Sequence, residues 1–239
     1  IGRAVAKVLA AEGVNVLAVS RTASQLESLM EEISAPELGH AALALDLMSI
    51  EGTQSLVEFI NDQMHVDIIV HNLGGTLDIR DPFCSIDDWR QVYRLNLEIP
   101  IELNVALVPP MVERGWGRVV HISSVAAMEN QGPAPYCAMK AALTAYTRSI
   151  AGVVAKDGVI MSCVLPGAVI TEDGYWEKAR DENTEHYQKF VSERMRIGRM
   201  GEPHEIANAV AFFCSEHSSF AVGSVVPIDG GQGRSFFGQ

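Results

Sequence analysis

Short apolar runs alternate with helix-periodic segments along the whole of this 239-residue chain, and that alternation leaves few architectures open. Arg3 to Glu12 repeats its apolar residues at helical spacing and is stopped by Gly13, after which Val14 to Ser20 reads as a strand. A helix from Ser24 to Ile33 leads through a loop with Pro36 and Gly39 to a strand at Ala41 to Asp46. A helix over Gly52 to Gln63 leads to a strand at Val66 to His71. Further strands are expected at Gly117 to Ile122, Val159 to Leu165 and Ser224 to Ile228. Strands that are apolar almost throughout must be covered on both faces. The pattern therefore predicts an α/β fold, a doubly wound parallel sheet whose ligands bind beyond the strands' carboxyl ends.

A hydrophobic content of 48% over this length suffices for one sizeable core, so a single domain, residues 1–239, is expected. The net charge of -12, with no Lys/Arg-rich run, argues against nucleic acid as a partner. No uninterrupted apolar stretch of membrane-spanning length and no basic, apolar leader stand out, so no membrane partner and a cytoplasmic location are expected. Cys84, Cys137, Cys163 and Cys214 are widely spaced, with no Cys-x-x-Cys pair, and read as reduced thiols. The seven histidines, His71 and His121 among them, show no ligand spacing, and no catalytic metal is expected.

Chemistry concentrates in Pro135-Tyr136-Cys137-Ala138-Met139-Lys140. Four residues make about one helical turn, which puts the phenol of Tyr136 and the ammonium of Lys140 on one face. A nearby positive charge is expected to pull the tyrosine pKa down from about 10 toward neutrality, making it an acid–base catalyst. Upstream, Val119 to Ser124 reads as a buried strand ending in two hydroxyls, so a serine can face the tyrosine across a cleft with a ketone or alcohol oxygen between them.

Placed in a doubly wound sheet, these residues resemble the classical short-chain dehydrogenase/reductase family, a Rossmann-type fold, over essentially the whole chain. Ile1-Gly2 looks like the end of the family's glycine-rich turn, so the first strand and part of that turn are expected to precede Ile1. Asp46-Leu47 resembles the acidic pair at the adenine. His71-Asn72-Leu73-Gly74-Gly75 resembles the family's Asn-Asn-Ala-Gly turn, with His71 and Leu73 departing from it. Asn96 matches the helix asparagine that binds a water linking the active-site lysine to solvent. Pro166, Gly167, Val169 and Thr171 match the segment along the nicotinamide. The resemblance implies a Ser124-Tyr136-Lys140-Asn96 tetrad, Ser124 being preferred over Ser123 on its local pattern. It also implies cofactor contacts from Ile1, Gly2, Asn72, Gly74, Tyr136 and Lys140, a substrate lid over residues 172–197, and a homotetramer or homodimer.

At the end of the second expected strand, Ser20-Arg21-Thr22 has no acid for adenosine ribose hydroxyls and offers a guanidinium suited to a phosphate. NADP(H) is therefore preferred, with NAD(H) possible. The expected reaction is hydride transfer between nicotinamide and a carbonyl or alcohol. Reduction of a 3-oxoacyl thioester is the first substrate reading, with a sugar, polyol or small cyclic alcohol as the alternative. A dinucleotide-binding regulator without catalysis is the alternative of another class, and retention of Ser124, Tyr136 and Lys140 together argues against it.

Overall fold

The computed structural model of the chain describes residues 1–35, 37–172 and 174–234. Its elements run α1 (Gly2–Ala11), β1 (Leu17–Ser20), α2 (Ala23–Glu32), β2 (Ala41–Ala44), α3 (Ile50–Gln63) and β3 (Ile68–His71). Then follow α4 (Ile86–Tyr93), α5 (Ile99–Arg114), β4 (Gly117–Ile122), α6 (Ala134–Val154) and β5 (Val159–Pro166). The chain continues through α7 (Tyr175–Glu182), α8 (Thr184–Arg194), α9 (Pro203–Cys214) and β6 (Val225–Ile228). The expected loop between α2 and β2 includes Pro36, which lies outside the described residues. Side-chain caps fix the helix starts: Ser49 accepts the Gly52 N–H at α3, and Ser85 forms a capping box with Asp88 at α4. Gly115, at φ 74°, ends α5 in the left-handed conformation that turns the chain directly into β4.

All strand pairs are parallel, as the sequence pattern requires, but they form two sheets, β1–β2 and β3–β4–β5–β6. β1 bonds only β2 and β3 only β4, and Leu17, Val19, Ile68 and Val70 line a common cleft between the two unpaired edges. Among the described residues no strand runs in that seam to supply the missing N–H and C=O partners. β1, β2 and β3 are shorter than their apolar runs.

Helices cover both faces of the larger sheet. On one, Leu56 and Ile60 of α3 and Ile99, Leu103, Leu107 and Met111 of α5 bury against Val119 and Met161. On the other, Val5 and Leu9 of α1 and Ile206, Val210 and Phe213 of α9 bury against Val120, Ile122 and Val164. The alternation along β4 is the strand's two-residue period, and it sends His121 to the same side as Val119, toward α5 and α6.

The continuous helical stretch Ile86–Arg114 is long and apolar enough by composition to cross a membrane, though charged residues interrupt its first half. Ile99, Leu103, Leu107, Val108 and Met111 are buried against the sheet, which makes α5 a core helix, while Val105 on its other face is exposed.

Candidate active site

β4 ends at Ile122, and the two following serines diverge as neighbouring residues of extended chain must. Ser123 turns into the protein, where it is buried and donates to the Lys140 carbonyl at 3.0 Å. Ser124 turns outward. Its Oγ accepts the Ala126 N–H at 3.1 Å, and its side chain lies near enough to Tyr136 to act on the phenol's pKa.

Tyr136 and Lys140 occupy successive turns near the start of α6, with the Lys140 Nζ 5.7 Å from the tyrosine ring centroid. Lys140 is 2% exposed, and its Nζ donates to the Ile122 carbonyl at 2.9 Å. Burial lowers its pKa to about 8, with Cys163 acting weakly in the opposite direction. The Tyr136 phenol is raised above its usual value, chiefly by burial, while the Ser124 hydroxyl opposes the rise. The expectation that Lys140 draws this phenol toward neutrality is thus corrected. The ammonium is engaged by a backbone carbonyl and desolvation dominates, so Tyr136 is held in its protonated, acid form.

Asn96 sits in a π-helical turn, Arg94–Glu98, inserted between α4 and α5. Such turns are rare and concentrate at functional sites. The asparagine is fully buried. Its Nδ2 donates to Gly75 O and Val92 O, each at 2.9 Å, and its Oδ1 accepts the Gly75 N–H at 3.0 Å. Both amide hydrogens are therefore committed to protein, and neither is left to donate to a water. What the side chain does is fix the Gly74–Gly75 turn. A Cβ on Gly74 would stand 2.6 Å from Lys140 Nζ and 2.9 Å from Asn96 Oδ1, so only glycine lets this turn lie against the tetrad.

The expected cofactor residues gather at the carboxyl ends of the parallel strands. Ser20, Arg21 and Thr22 after β1, Asp46 and Leu47 after β2, and Asn72 and Gly74 after β3 line one cleft. Arg21 is exposed there, and Asp46 accepts the Met48 N–H at 3.0 Å. Gly2 opens α1 beside Asn72, whose Nδ2 would be 2.6 Å from a Cβ at position 2, and the helix start carries no side-chain cap. Uncapped N–H groups at a helix amino terminus, an exposed guanidinium and small residues at the strand ends fit a phosphate-bearing dinucleotide. Ile1 instead turns its side chain into the core shared by α1 and α9, leaving only its backbone toward this end. Pro166 ends β5, buried, and Gly167 donates to Ile228 O at 3.0 Å. Val169 bridges to Gly201, and Thr171 lies half-buried where the next segment begins.

Of the expected lid, Asp173 lies outside the described residues. The rest forms α7 and α8, with Trp176, Tyr187 and Phe190 packed on a small satellite core of Ala168, Met195 and Met200.

Sequence reasoning did not find Gln232, whose Oε1 accepts the Ala168 N–H at 2.6 Å and whose Nε2 bonds Gln131, tying the last described residues to both sides of the site. It also missed a buried group of His71, Asn104 and His121. The departure of His71 from the family turn was the one available signal for it.

A parallel α/β domain carrying a Ser-Tyr-Lys-Asn constellation beyond its strand ends defines a dinucleotide-dependent oxidoreductase. Residues 1–232 match the family model described as Enoyl-(Acyl carrier protein) reductase. The chain is 33% identical over 235 residues to the 3-oxoacyl-[acyl-carrier-protein] reductase FabG of Aquifex aeolicus, covering 97% of this chain and 92% of that protein. A solved 3-oxoacyl (acyl-carrier-protein) reductase from Agrobacterium tumefaciens with NADP bound superposes with a TM-score of 0.88 at 28% identity, covering 95% of this chain and 88% of that one. L-sorbose reductase from Gluconobacter frateurii, complexed with NADPH and L-sorbose, gives a TM-score of 0.87 at 28% identity, covering 98% and 92%. The chain belongs to the short-chain dehydrogenase/reductase family.

Proposed function

We propose that this oxidoreductase reduces the ketone of 3-oxoacyl thioesters with NADPH, through Ser124, Tyr136, Lys140 and Asn96. The observation that carries the reading is Tyr136, its phenol raised by burial, on the same helix face as the buried Lys140 and beside Ser124. The thioester class rests on the 3-oxoacyl reductases among its relatives, and the phosphorylated cofactor on Arg21 in an acid-free strand end.

NADP(H), when bound, supplies the hydride that reduces the carbonyl carbon. The carbonyl oxygen lies between the Ser124 and Tyr136 hydroxyls. Ser124 already accepts from Ala126 N, so its own O–H is the donor that steadies the oxygen as negative charge grows. Tyr136, its proton retained by burial, delivers that proton to the oxygen. The Lys140 ammonium, 5.7 Å from the Tyr136 ring centroid, is the nearby positive charge for the phenolate left behind, and it would hold the ribose hydroxyls of a bound cofactor. Asn96 keeps the turn beneath the lysine in place.

A sugar or polyol ketone is the second reading, supported by the likeness to L-sorbose reductase. Loss of the reduced-nicotinamide absorbance band, followed with a 3-oxoacyl thioester, L-sorbose and a cyclic ketone, each with NADPH and NADH, decides among them. The expected result is the highest kcat/KM for the thioester with NADPH. Arg21→Asp is expected to lower the NADPH/NADH ratio of kcat/KM about tenfold. Dinucleotide binding without turnover of any carbonyl would favour the regulator.

The segment 172–197 is proposed as the substrate lid, since its helices rest on only a small core beside Ala168. The seam between β1 and β3 is proposed as the seat of one more parallel strand, supported by two unpaired edges lining one apolar cleft. Hydrogen exchange reads it out: a filled seam slows the edge amides of β1 and β3. A homotetramer is supported by apolar residues exposed in two places, Val105 and Val153 on α5 and α6 and Phe212 and Phe220 in and beyond α9. Sedimentation at micromolar concentration tests it. A cytoplasmic location is proposed from the four free cysteines.

A further inference from the structure

Beneath the tetrad, between the larger sheet and helices α5 and α6, two histidine rings lie stacked with centroids 4.8 Å apart and planes 7° from parallel. His71 comes from β3 and His121 from β4. Asn104 of α5 bonds both, its Oδ1 2.8 Å from His71 Nε2 and its Nδ2 3.0 Å from His121 Nε2. On the far side His121 Nδ1 is 3.0 Å from the Thr147 hydroxyl of α6, and that hydroxyl donates to the Leu143 carbonyl at 2.8 Å. The Asn104 amide also reaches the Tyr146 hydroxyl at 3.3 Å.

The partners assign the protons along the chain of bonds from Thr147 to His71 Nε2. Thr147 spends its hydrogen on Leu143 and so accepts from His121 Nδ1–H. His121 Nε2 then accepts from the Asn104 amide, and the Asn104 carbonyl accepts from His71 Nε2–H. His121, which donates from one ring nitrogen and accepts at the other, is consequently neutral. Burial disfavours the charged form in the same direction, holding His71 at about 4 and His121 well below its ordinary value.

The positions of these residues are informative. Asn104 lies two turns beyond Asn96 on the helix that continues into α5, and Thr147 lies two turns beyond Lys140 on α6. His121 lies three residues before Ser124, and His71 immediately precedes Asn72. The elements that lead to Ser124 and Asn72, the helix that carries Tyr136 and Lys140, and the helix that continues from Asn96 each therefore also carry one member of the group. Above it, Thr144 donates to the Lys140 carbonyl at 3.0 Å and lies 3.2 Å from Ser123, so α6 is bonded to the chain at 121, 122 and 123 in succession. Apolar packing between a helix and a sheet resists sliding weakly, whereas directional bonds of fixed length admit one register.

We propose that Asn104, bonded to the stacked rings of His71 and His121, is the positioning residue that locks α5 and α6 onto β4 in the register that brings Ser124, Tyr136, Lys140 and Asn96 together. The proposal rests on the tetrad reading given above. None of the three touches the reacting atoms. They act on catalysis by holding the two helices, and a slip of about 1 Å between Tyr136 and Ser124 is enough to cost turnover heavily.

Three variants of the whole chain test this. Asn104→Leu keeps the volume and removes both bonds. Thr147→Val keeps the shape and removes the acceptor that sets the His121 tautomer, and Thr147→Ser returns that acceptor. Imidazole ¹⁵N spectra of the wild type are expected to show His71 protonated at Nε2 and His121 at Nδ1, the latter assignment being lost in Thr147→Val and regained in Thr147→Ser. Turnover with NADPH and a carbonyl substrate is expected to fall about tenfold or more in Asn104→Leu and several-fold in Thr147→Val. KM for both substrates should stay within about twofold, and kcat should be restored in Thr147→Ser. If Asn104→Leu does not fold, the Thr147 pair carries the test alone. Unchanged kcat in Thr147→Val, or charged or oppositely protonated rings in the wild type, overturns the proposal. An inactive wild type would instead overturn the functional reading.

Discussion

Ser123 and Ser124 are adjacent hydroxyls with opposite fates, decided by the two-residue alternation of extended chain. Ser123 spends its hydroxyl on the Lys140 carbonyl inside the protein, and Ser124 meets Tyr136. Ser124→Ala is therefore expected to lower kcat by about 10²-fold or more with cofactor affinity retained, the loss of one preorganised donor to a developing oxyanion. Ser123→Ala is expected to lower thermal stability more than kcat. Steady-state kinetics and melting curves of the two variants compare them, and the reverse ranking would move the catalytic role to Ser123. Lys140 gives a second prediction at this scale. Its pKa falls from 10.5 to about 8 on folding, so between those pH values the unfolded chain holds more protons than the folded one. Stability contributed by this group accordingly rises as pH climbs from 8 to 10.5 and is absent below that window. The effect is on the order of 3 kcal/mol at most. Urea unfolding of the ligand-free protein at pH 8 and pH 10 should show the rise in the wild type and a smaller one in Lys140→Met. Parallel behaviour would place the lysine in water.

The strands and the first three helices were legible because each needs only a local pattern, a short apolar run or a helical stripe. Tyr136 and Lys140 were legible for the same reason, one turn apart on one helix. What the sequence concealed depends on partners far along the chain. The π turn at Arg94–Glu98 has no local signature, and it exists where Asn96 turns inward to bond the Gly75 N–H and carbonyl about twenty residues away. His71 and His121 read as scattered polar residues, because only strand pairing, His71 opposite His121, brings them together. At the scale of the element, Asn96→Ala leaves the Gly75 N–H and the Gly75 and Val92 carbonyls without this partner inside the protein. The expected loss is about 1–3 kcal/mol of stability, with turnover reduced by a loosened Gly74–Gly75 turn. Chemical denaturation measures the first and steady-state assay the second. An unchanged unfolding midpoint would mean that water replaces the amide at no cost.

Across the whole molecule, the alternation of strands and helices foretold parallel pairing, two helical layers and a cleft at the strand ends, and all three are present. The division into two sheets could not be read from apolar runs, since a run shows that a strand is buried but not which neighbour it bonds. The same limit applies to the electrostatics of the site. Spacing places a lysine near a tyrosine, yet burial, which only the folded molecule defines, decides that the phenol keeps its proton. The central claim is that this retained proton is the one transferred. It is tested most directly by the single-turnover rate of Tyr136→Phe with saturating NADPH and a 3-oxoacyl thioester, alongside cofactor binding measured by fluorescence. The expected result is a rate about 10²–10⁴-fold below wild type with NADPH affinity unchanged. A rate within a few-fold of wild type would contradict it, because the ring would remain and only the proton would have gone.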